Sequence, residues 1–270
     1  MVITSDEYDL VQVLDHDVSA VVLPPTDSQG WLADIDAAVQ RRALRLERTL
    51  LFGASRKSIE SMFSDQVRVS DIAPALQAAL IEDALYLVDL CSKLAGGSSF
   101  NFRSFTEAPT TRCGYHVDTV PPGAPTVGVM RVYCGDGTEY PNPAMITSAR
   151  DFYAYMAKRD RLLRNKAGRA TTDVGSTVSV DEEIQVLDAR PPFLRDPAVV
   201  TVPPGSLVAF KHLDISVYGS AREFRGAWVH QSPSTGSARL VINVTPGNTQ
   251  VSRRNRLNQS AGTRKIRWQD

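Results

Sequence analysis

The feature that most restricts how this chain can fold is a change of texture at Phe100. Ahead of it, apolar residues recur at helical spacings. Behind it, short β-like runs are cut by Pro and Gly. Candidate strands cover 100–106, 113–120, 127–134, 177–187, 199–202, 206–211, 226–232 and 238–244, with turns such as Pro121-Pro122-Gly123 and Pro203-Pro204-Gly205 between them. Strands at this density predict a sandwich or barrel. One stretch, Ser148 to Arg169, reads instead as a helix inserted among the strands. Phe152, Tyr155 and Met156 lie on one side of it, with Lys158, Arg159, Arg161 and Arg164 elsewhere. The fold class is therefore α+β. A mainly helical region over 1–99 packs on a β core over 100–250, which carries the insertion at about 148–169, and a basic tail follows over 251–270.

Within the first region, Val18 to Leu23 suits a short strand stopped by Pro24-Pro25. Residues 31–51 predict a helix, since Leu32, Ile35, Val39, Leu46 and Leu50 recur at spacings of three, four and seven and Gly53 offers a stop. A second helix is expected from about Pro74 to Leu94, with Pro74 in the first turn and Gly96-Gly97 beyond the end. Leu76, Leu80, Ala84, Leu87 and Cys91 form its apolar stripe.

Hydrophobic residues make up 43% and charged ones 22%, the balance of a soluble globular chain rather than a disordered one. The formal net charge is zero, so nothing global points to nucleic acid or an anionic membrane. No apolar run approaches the roughly 20 residues of a membrane span, and the acidic first residues lack a signal-peptide pattern. Three cysteines, Cys91, Cys113 and Cys134, are odd in number and show no Cys-x-x-Cys pair. They read as reduced thiols of a cytoplasmic protein, with Cys113 and Cys134 as buried fillers. In the tail, Arg253, Arg254, Arg256, Arg264, Lys265 and Arg267 against Asp270 give 6 − 1 = +5. We read this as a solvated terminus, and nucleic acid is not an expected partner.

The chemistry gathers around Tyr115-His116-Val117-Asp118. On an extended strand, side chains two apart share a face, so His116 and Asp118 project together and Val117 points away. An imidazole beside a carboxylate supplies two ligands of a 2-His-1-carboxylate iron site. A further histidine, His230, shares a strand face with Trp228 and Ser232, and Trp228 reads as packing. Nine positions on, Arg239 shares a face with Val241 and Asn243, opposite the apolar set Leu240, Ile242 and Val244. An inward arginine in an apolar barrel calls for an anionic partner, and its planar fork matches a carboxylate. Arg131 and Tyr133 share a face with Val127 and Val129: facing inward they bind co-substrate or substrate, and otherwise they mark the wet end of a strand. Arg103, beside Asn101 and Phe105, presents the same two alternatives. A second His-x-Asp, His212-Leu213-Asp214, reads as a strand-end or loop feature, and Asp15-His16-Asp17 as a polar loop.

The ordered set of His116-x-Asp118, 111 intervening residues, His230 and then Arg239 resembles the Fe(II)/2-oxoglutarate-dependent dioxygenase superfamily. The text from Arg131 to Tyr140, Pro204-Gly205-Ser206-Leu207-Val208 and His230-Gln231-Ser232-Pro233 is also similar to a bacterial family of that broad type. The resemblance covers about Phe100 to Pro246. It implies a double-stranded β-helix (jelly roll), with the His-x-Asp pair on its second strand, the distal histidine on its seventh and the arginine on its eighth. It further implies Fe(II) held by His116, Asp118 and His230, 2-oxoglutarate anchored by Arg239, and O2 as the oxidant. The default outcome is hydroxylation of an unactivated C–H in a small molecule bound under the 148–169 helix. Desaturation and cyclisation are variants, and halogenation is not expected because Asp118 is present. Arg103, Arg112 and Arg131 hint at an anionic or amino-acid-like substrate. A cupin-like metal enzyme that does not use 2-oxoglutarate, a nucleic-acid demethylase and a non-enzymatic metal-binding module stand as alternatives. Oligomeric state is not legible in the sequence.

Overall fold

The structure, a computed structural model, describes residues 1–26, 29–109, 113–169, 179–218 and 226–247, excepting the side chains of 166–169. The strands are β1 (Val2–Ile3), β2 (Ala20–Leu23), β3 (Thr49–Ala54), β4 (Phe100–Glu107), β5 (Thr119–Val120), β6 (Val127–Val132), β7 (Glu139–Pro141), β8 (Val199–Thr201), β9 (Leu207–Lys211), β10 (Leu213–Asp214) and β11 (Arg239–Pro246). The helices are α1 (Trp31–Gln40), α2 (Arg56–Arg68), α3 (Pro74–Ala95), α4 (Ala149–Arg169) and α5 (Val180–Ala189).

A seven-stranded sheet in the order β1-β2-β9-β6-β11-β4-β3 is the scaffold. All its pairings are antiparallel except β1 with β2. A second layer is assembled from short pieces: β5 with β10, β7 with β8, and isolated bridges joining His116 to His230 and Glu139 to Gln231. Side-chain alternation along the large sheet divides two cores. Phe102, Val129, Leu207, Leu240 and Ile242 pack against α1, α2 and α3 through Ile35, Phe63, Leu80 and Leu87. The opposite face, carrying Phe105, Met130, Val132, Phe210 and Val241, encloses Trp228 and Tyr140 from the second layer. A third cluster lies outside the second layer, where Tyr115, Val117 and Val229 meet Phe152 and Tyr155 of α4 and Ile184 of α5.

Local chemistry explains several of these boundaries. Pro74 opens α3 and Gly96, in the left-handed region at φ 70°, closes it, as the sequence predicts. Residues 177–187, expected as a strand, are a helix where described. Ser179 caps α5 by accepting from the Glu182 N–H, while the Glu182 carboxylate accepts from the Ser179 N–H. This capping box was readable as Ser-x-x-Glu, but the alternation of Val and Ile with polar residues masked it. The helix expected over 31–51 ends at Gln40. Arg42 takes a positive φ of 63°, Leu44 is buried beyond it, and 49–54 pair with β4 instead. Gly53 is a bulge in that edge strand rather than a helix stop. Helix α2 has only a serine cap, Ser55, as its announcement. Helix α4 lies on the outer face of the second layer rather than over the interior, and Arg159 turns to the buried side with Phe152 and Tyr155. The basic tail and Arg112 fall outside the described residues.

Candidate metal centre

Three ligand-capable residues converge. His116, Asp118 and His230 each offer one ligand atom, and these atoms lie within 4.8 Å of one another. His116 Nε2 stands 3.9 Å from Asp118 Oδ1, and His230 Nε2 stands 3.9 Å from Asp118 Oδ2. Alternation puts them there. Tyr115, Val117 and Val229 are claimed by the outer cluster with α4 and α5, so the residues between them turn inward. Mutual backbone hydrogen bonds then set the two histidines opposite each other.

Both imidazoles are oriented by their other nitrogen. His116 Nδ1 lies 2.8 Å from the Gly114 carbonyl and His230 Nδ1 3.1 Å from the Trp228 carbonyl. A carbonyl only accepts, so each Nδ1 carries the proton and each Nε2 keeps its lone pair for a cation. Trp228 stacks on His230 with ring centroids 4.4 Å apart and planes at 16°, fixing the second ring. Gly114 is needed at its position, because a Cβ there would fall 2.1 Å from Arg159 Nε and 2.6 Å from the Tyr155 hydroxyl. That hydroxyl accepts from the Tyr115 N–H and donates to Asp188, which also pairs with Arg159 at 3.0 Å. Helix α4 thus braces the backbone from which His116 and Asp118 project.

Electrostatics favour the ligand forms. Burial, reinforced by His116, depresses His230 from 6.5 to about 3, so it is a neutral donor at neutral pH. Burial pushes the Asp118 carboxyl up. At the acid pH where it would take its proton, however, imidazoles are cations, and His230, His116 and His212 together with Arg103 hold it well below the usual carboxylate range. Two imidazole nitrogens and one carboxylate oxygen make a donor set suited to a divalent ion with open positions.

The remaining candidates divide. Arg239 faces the interior with Val241 and is 4% exposed, but it already has an anion: Nη2 lies 2.8 Å and Nε 3.2 Å from Glu107 Oε1, its direct cross-strand partner. Glu107 also takes Arg48 at 2.8 Å, and Arg239 donates to Ser232 Oγ. Arg131 and Tyr133 are not brought to the cluster. They share their face with Val129, which packs on the helices, and both reach Asp83 on α3 (Arg131 Nε at 3.4 Å, Tyr133 hydroxyl at 2.6 Å). The inward alternative for that pair is thereby corrected, and so is the wet-end one, since Arg131 is buried in an ion pair. Sequence reading missed the acidic residue on α3 because it lies about fifty positions upstream. His212, read as a strand-end or loop feature, lies between β9 and β10, is 4% exposed and is close enough to Asp118 and His230 to influence both. Asp214 is half-buried and caps a short 3-10 helix, accepting from the Ser216 and Gly123 N–H groups. Cys134 is buried, whereas Cys113 is only half-buried.

No protein-family model and no curated protein matches the chain. Solved structures do show likeness. A dioxygenase for auxin oxidation from rice aligns at 12% identity and TM-score 0.42, over 94% of this chain and 90% of that one. The dioxygenase for auxin oxidation 1 of Arabidopsis thaliana, in a binary complex with 2-oxoglutarate, aligns at 9% and 0.43, over 92% of each. A Pseudomonas putida prolyl-4-hydroxylase aligns at 12% and 0.36, over 88% of this chain and 97% of that one.

Proposed function

We propose that the chain is an Fe(II)/2-oxoglutarate-dependent dioxygenase that hydroxylates an unactivated C–H of a small molecule. The observation that carries this reading is the convergence of His116, Asp118 and His230, with both Nδ1 atoms turned to backbone carbonyls, so that both Nε2 atoms are left for a cation beside the carboxylate. When bound, iron and 2-oxoglutarate supply the oxidising chemistry with O2. His116, Asp118 and His230 would hold the ion through three positions, and the rings of Phe210 and Trp228 pack against His230.

The jelly-roll reading is supported by strand order. Counted from Phe100, with β9 and β10 taken as one continuing strand, the large sheet runs sixth-third-eighth-first (β9-β6-β11-β4). The opposite layer runs second-seventh-fourth-fifth, through His116–Val120, His230–Gln231, β7 and β8. Two facing layers that exchange strands in this way are the mark of that architecture. On this count the His-x-Asp pair is on the second segment, His230 on the seventh and Arg239 on the eighth. Residues 1–99 are read as a helical region supporting the core. Arg239 is proposed as the anchor for the far carboxylate of 2-oxoglutarate, given its inward face and its hydroxyl neighbour Ser232.

A second reading has one observation in its favour. Glu107 already neutralises Arg239, so the arginine does not by itself require an anionic ligand, as in a cupin-like metal enzyme without 2-oxoglutarate. Anaerobic addition of Fe(II) and then 2-oxoglutarate decides between them. The first reading expects a visible metal-to-ligand charge-transfer band that Arg239→Gln weakens, and then O2-dependent succinate. Metal binding without the band selects the second.

A further inference from the structure

Beside the metal cluster sits a second polar group, in which His212 and Asn243 are buried and Arg103 is half-buried. Arg103 alternates with Phe102 and Ser104, so it faces the interior with Phe105. Directly across the strand pair is Asn243, on the interior face with Val241. His212 completes the group. Its ring lies over Gly128, which shares the interior face of β6 with Met130. A Cβ on Gly128 would come within 2.4 Å of His212 Cε1, so the missing side chain is what admits the imidazole. The charges of Arg103 and Asp118 both reach His212.

The hydrogen-bond inventory of this group is one-sided. His212 Nδ1 donates to the Thr126 carbonyl at 2.9 Å, which leaves Nε2 as an acceptor. That Nε2 and Asn243 Oδ1 are both buried with no partner. Arg103 has no hydrogen bond or ion pair among the described residues, whereas Arg131, Arg159 and Arg239 each have a carboxylate. Its nearby negative charge is Asp118, and a divalent cation on Asp118 would claim that charge. A buried acceptor left unpaired costs about 1–3 kcal/mol, so two of them beside an unpaired cation describe a ligand. The ligand brings an anion to Arg103 and N–H or O–H donors to His212 and Asn243.

We propose that Arg103, His212 and Asn243 form the substrate subsite and select a small organic acid with a donor close to its carboxylate, in the manner of an amino acid. The inference rests on the metal-centre reading above. 2-Oxoglutarate is a poorer fit for this place, because it offers no donor to the two acceptors.

The test uses the full chain loaded anaerobically with Mn(II) and 2-oxoglutarate, titrated calorimetrically with the common L-amino acids, with their amides, which lack the carboxylate, and with the corresponding deaminated acids, which lack the donor. We expect at least one amino acid to bind more than about tenfold tighter than its amide. Arg103→Gln should remove that preference. His212→Phe and Asn243→Leu should instead narrow the gap between the amino acid and its deaminated form. Matching thermal midpoints establish that the variants fold. The proposal is overturned if no amino acid binds the loaded wild-type chain, or if Arg103→Gln leaves the acid-over-amide preference intact. It is also overturned if Arg103→Gln weakens 2-oxoglutarate but not 2-oxobutyrate, since the arginine would then serve the co-substrate. Should 2-oxoglutarate fail to bind the wild type, the functional reading is at fault, and the same panel run on the Mn(II)-loaded chain still tests the subsite.

Discussion

His116 and His230 exchange both backbone hydrogen bonds, the His116 N–H donating to the His230 carbonyl at 2.9 Å and the His230 N–H to the His116 carbonyl at 3.0 Å. Residues 114 positions apart are thus locked as direct neighbours, with ring centroids 4.4 Å apart. The relative placement of the two imidazoles is set by a backbone bridge between two segments that lie outside the named strands.

His230→Gln removes an Nε2 donor while keeping the backbone bridge. Because loss of outer-shell partners alone costs about 10–100-fold in metal affinity, this variant should lose at least that much. Equilibrium dialysis with Mn(II) measures it, and wild-type affinity in the variant would remove His230 from the ligand set.

The Trp228 ring stacks on His230, so a paramagnetic ion at the cluster should quench its emission. Trp228→Phe is expected to abolish the quench while the chain still binds the ion. A quench that survives in the variant would mean that the ion sits elsewhere.

Asp83 holds the buried Arg131 and accepts from the Tyr133 hydroxyl. Asp83→Ala strands a buried cation and should cost about 3–5 kcal/mol, read in denaturant unfolding. Metal and 2-oxoglutarate affinities should stay within twofold of wild type, because this cluster is on the helix side of the sheet. A selective loss of 2-oxoglutarate binding would return Arg131 and Tyr133 to the site.

Gly128→Ala places a methyl against His212 Cε1 and, at 2.9 Å, the Val244 carbonyl. Overpacking of this kind costs about 1–3 kcal/mol. A lowered thermal midpoint is expected, and a neutral result would show that the His212 ring is free to move.

Acid should destabilise the metal-free chain in a defined window. His230 falls from 6.5 unfolded to about 3 folded, so below pH 6.5 the unfolded chain binds the extra proton. The stabilisation is complete above pH 6.5 and is lost as pH falls toward 3, by an amount on the order of a few kcal/mol. His230→Gln should flatten that part of the stability–pH curve, and an unchanged slope would assign the effect to other groups.

Alternation along strands was legible without coordinates, because it depends only on the two-residue period of an extended chain. It turned His116 and Asp118 to one side and Val117 to the other, and it separated Arg239 from Leu240. The helix α3 was legible for a similar reason, since its proline start and glycine stop act within one turn. Tertiary structure decided what a face looks at. Arg131 and Tyr133 share a face by periodicity, yet only the packing of α3 made that face the helix side and supplied Asp83. Arg239 was recognisable as an inward cation, but the carboxylate opposite it, Glu107, came from a register that no local pattern states. His212 does fall at a strand end, between β9 and β10, as its sequence context suggests, but only the tertiary structure shows that Gly128, 84 positions earlier, leaves room for its ring. Local backbone preference fixes which side chains travel together, whereas the pairing of distant segments fixes their partners, and a chain read in one dimension contains only the first.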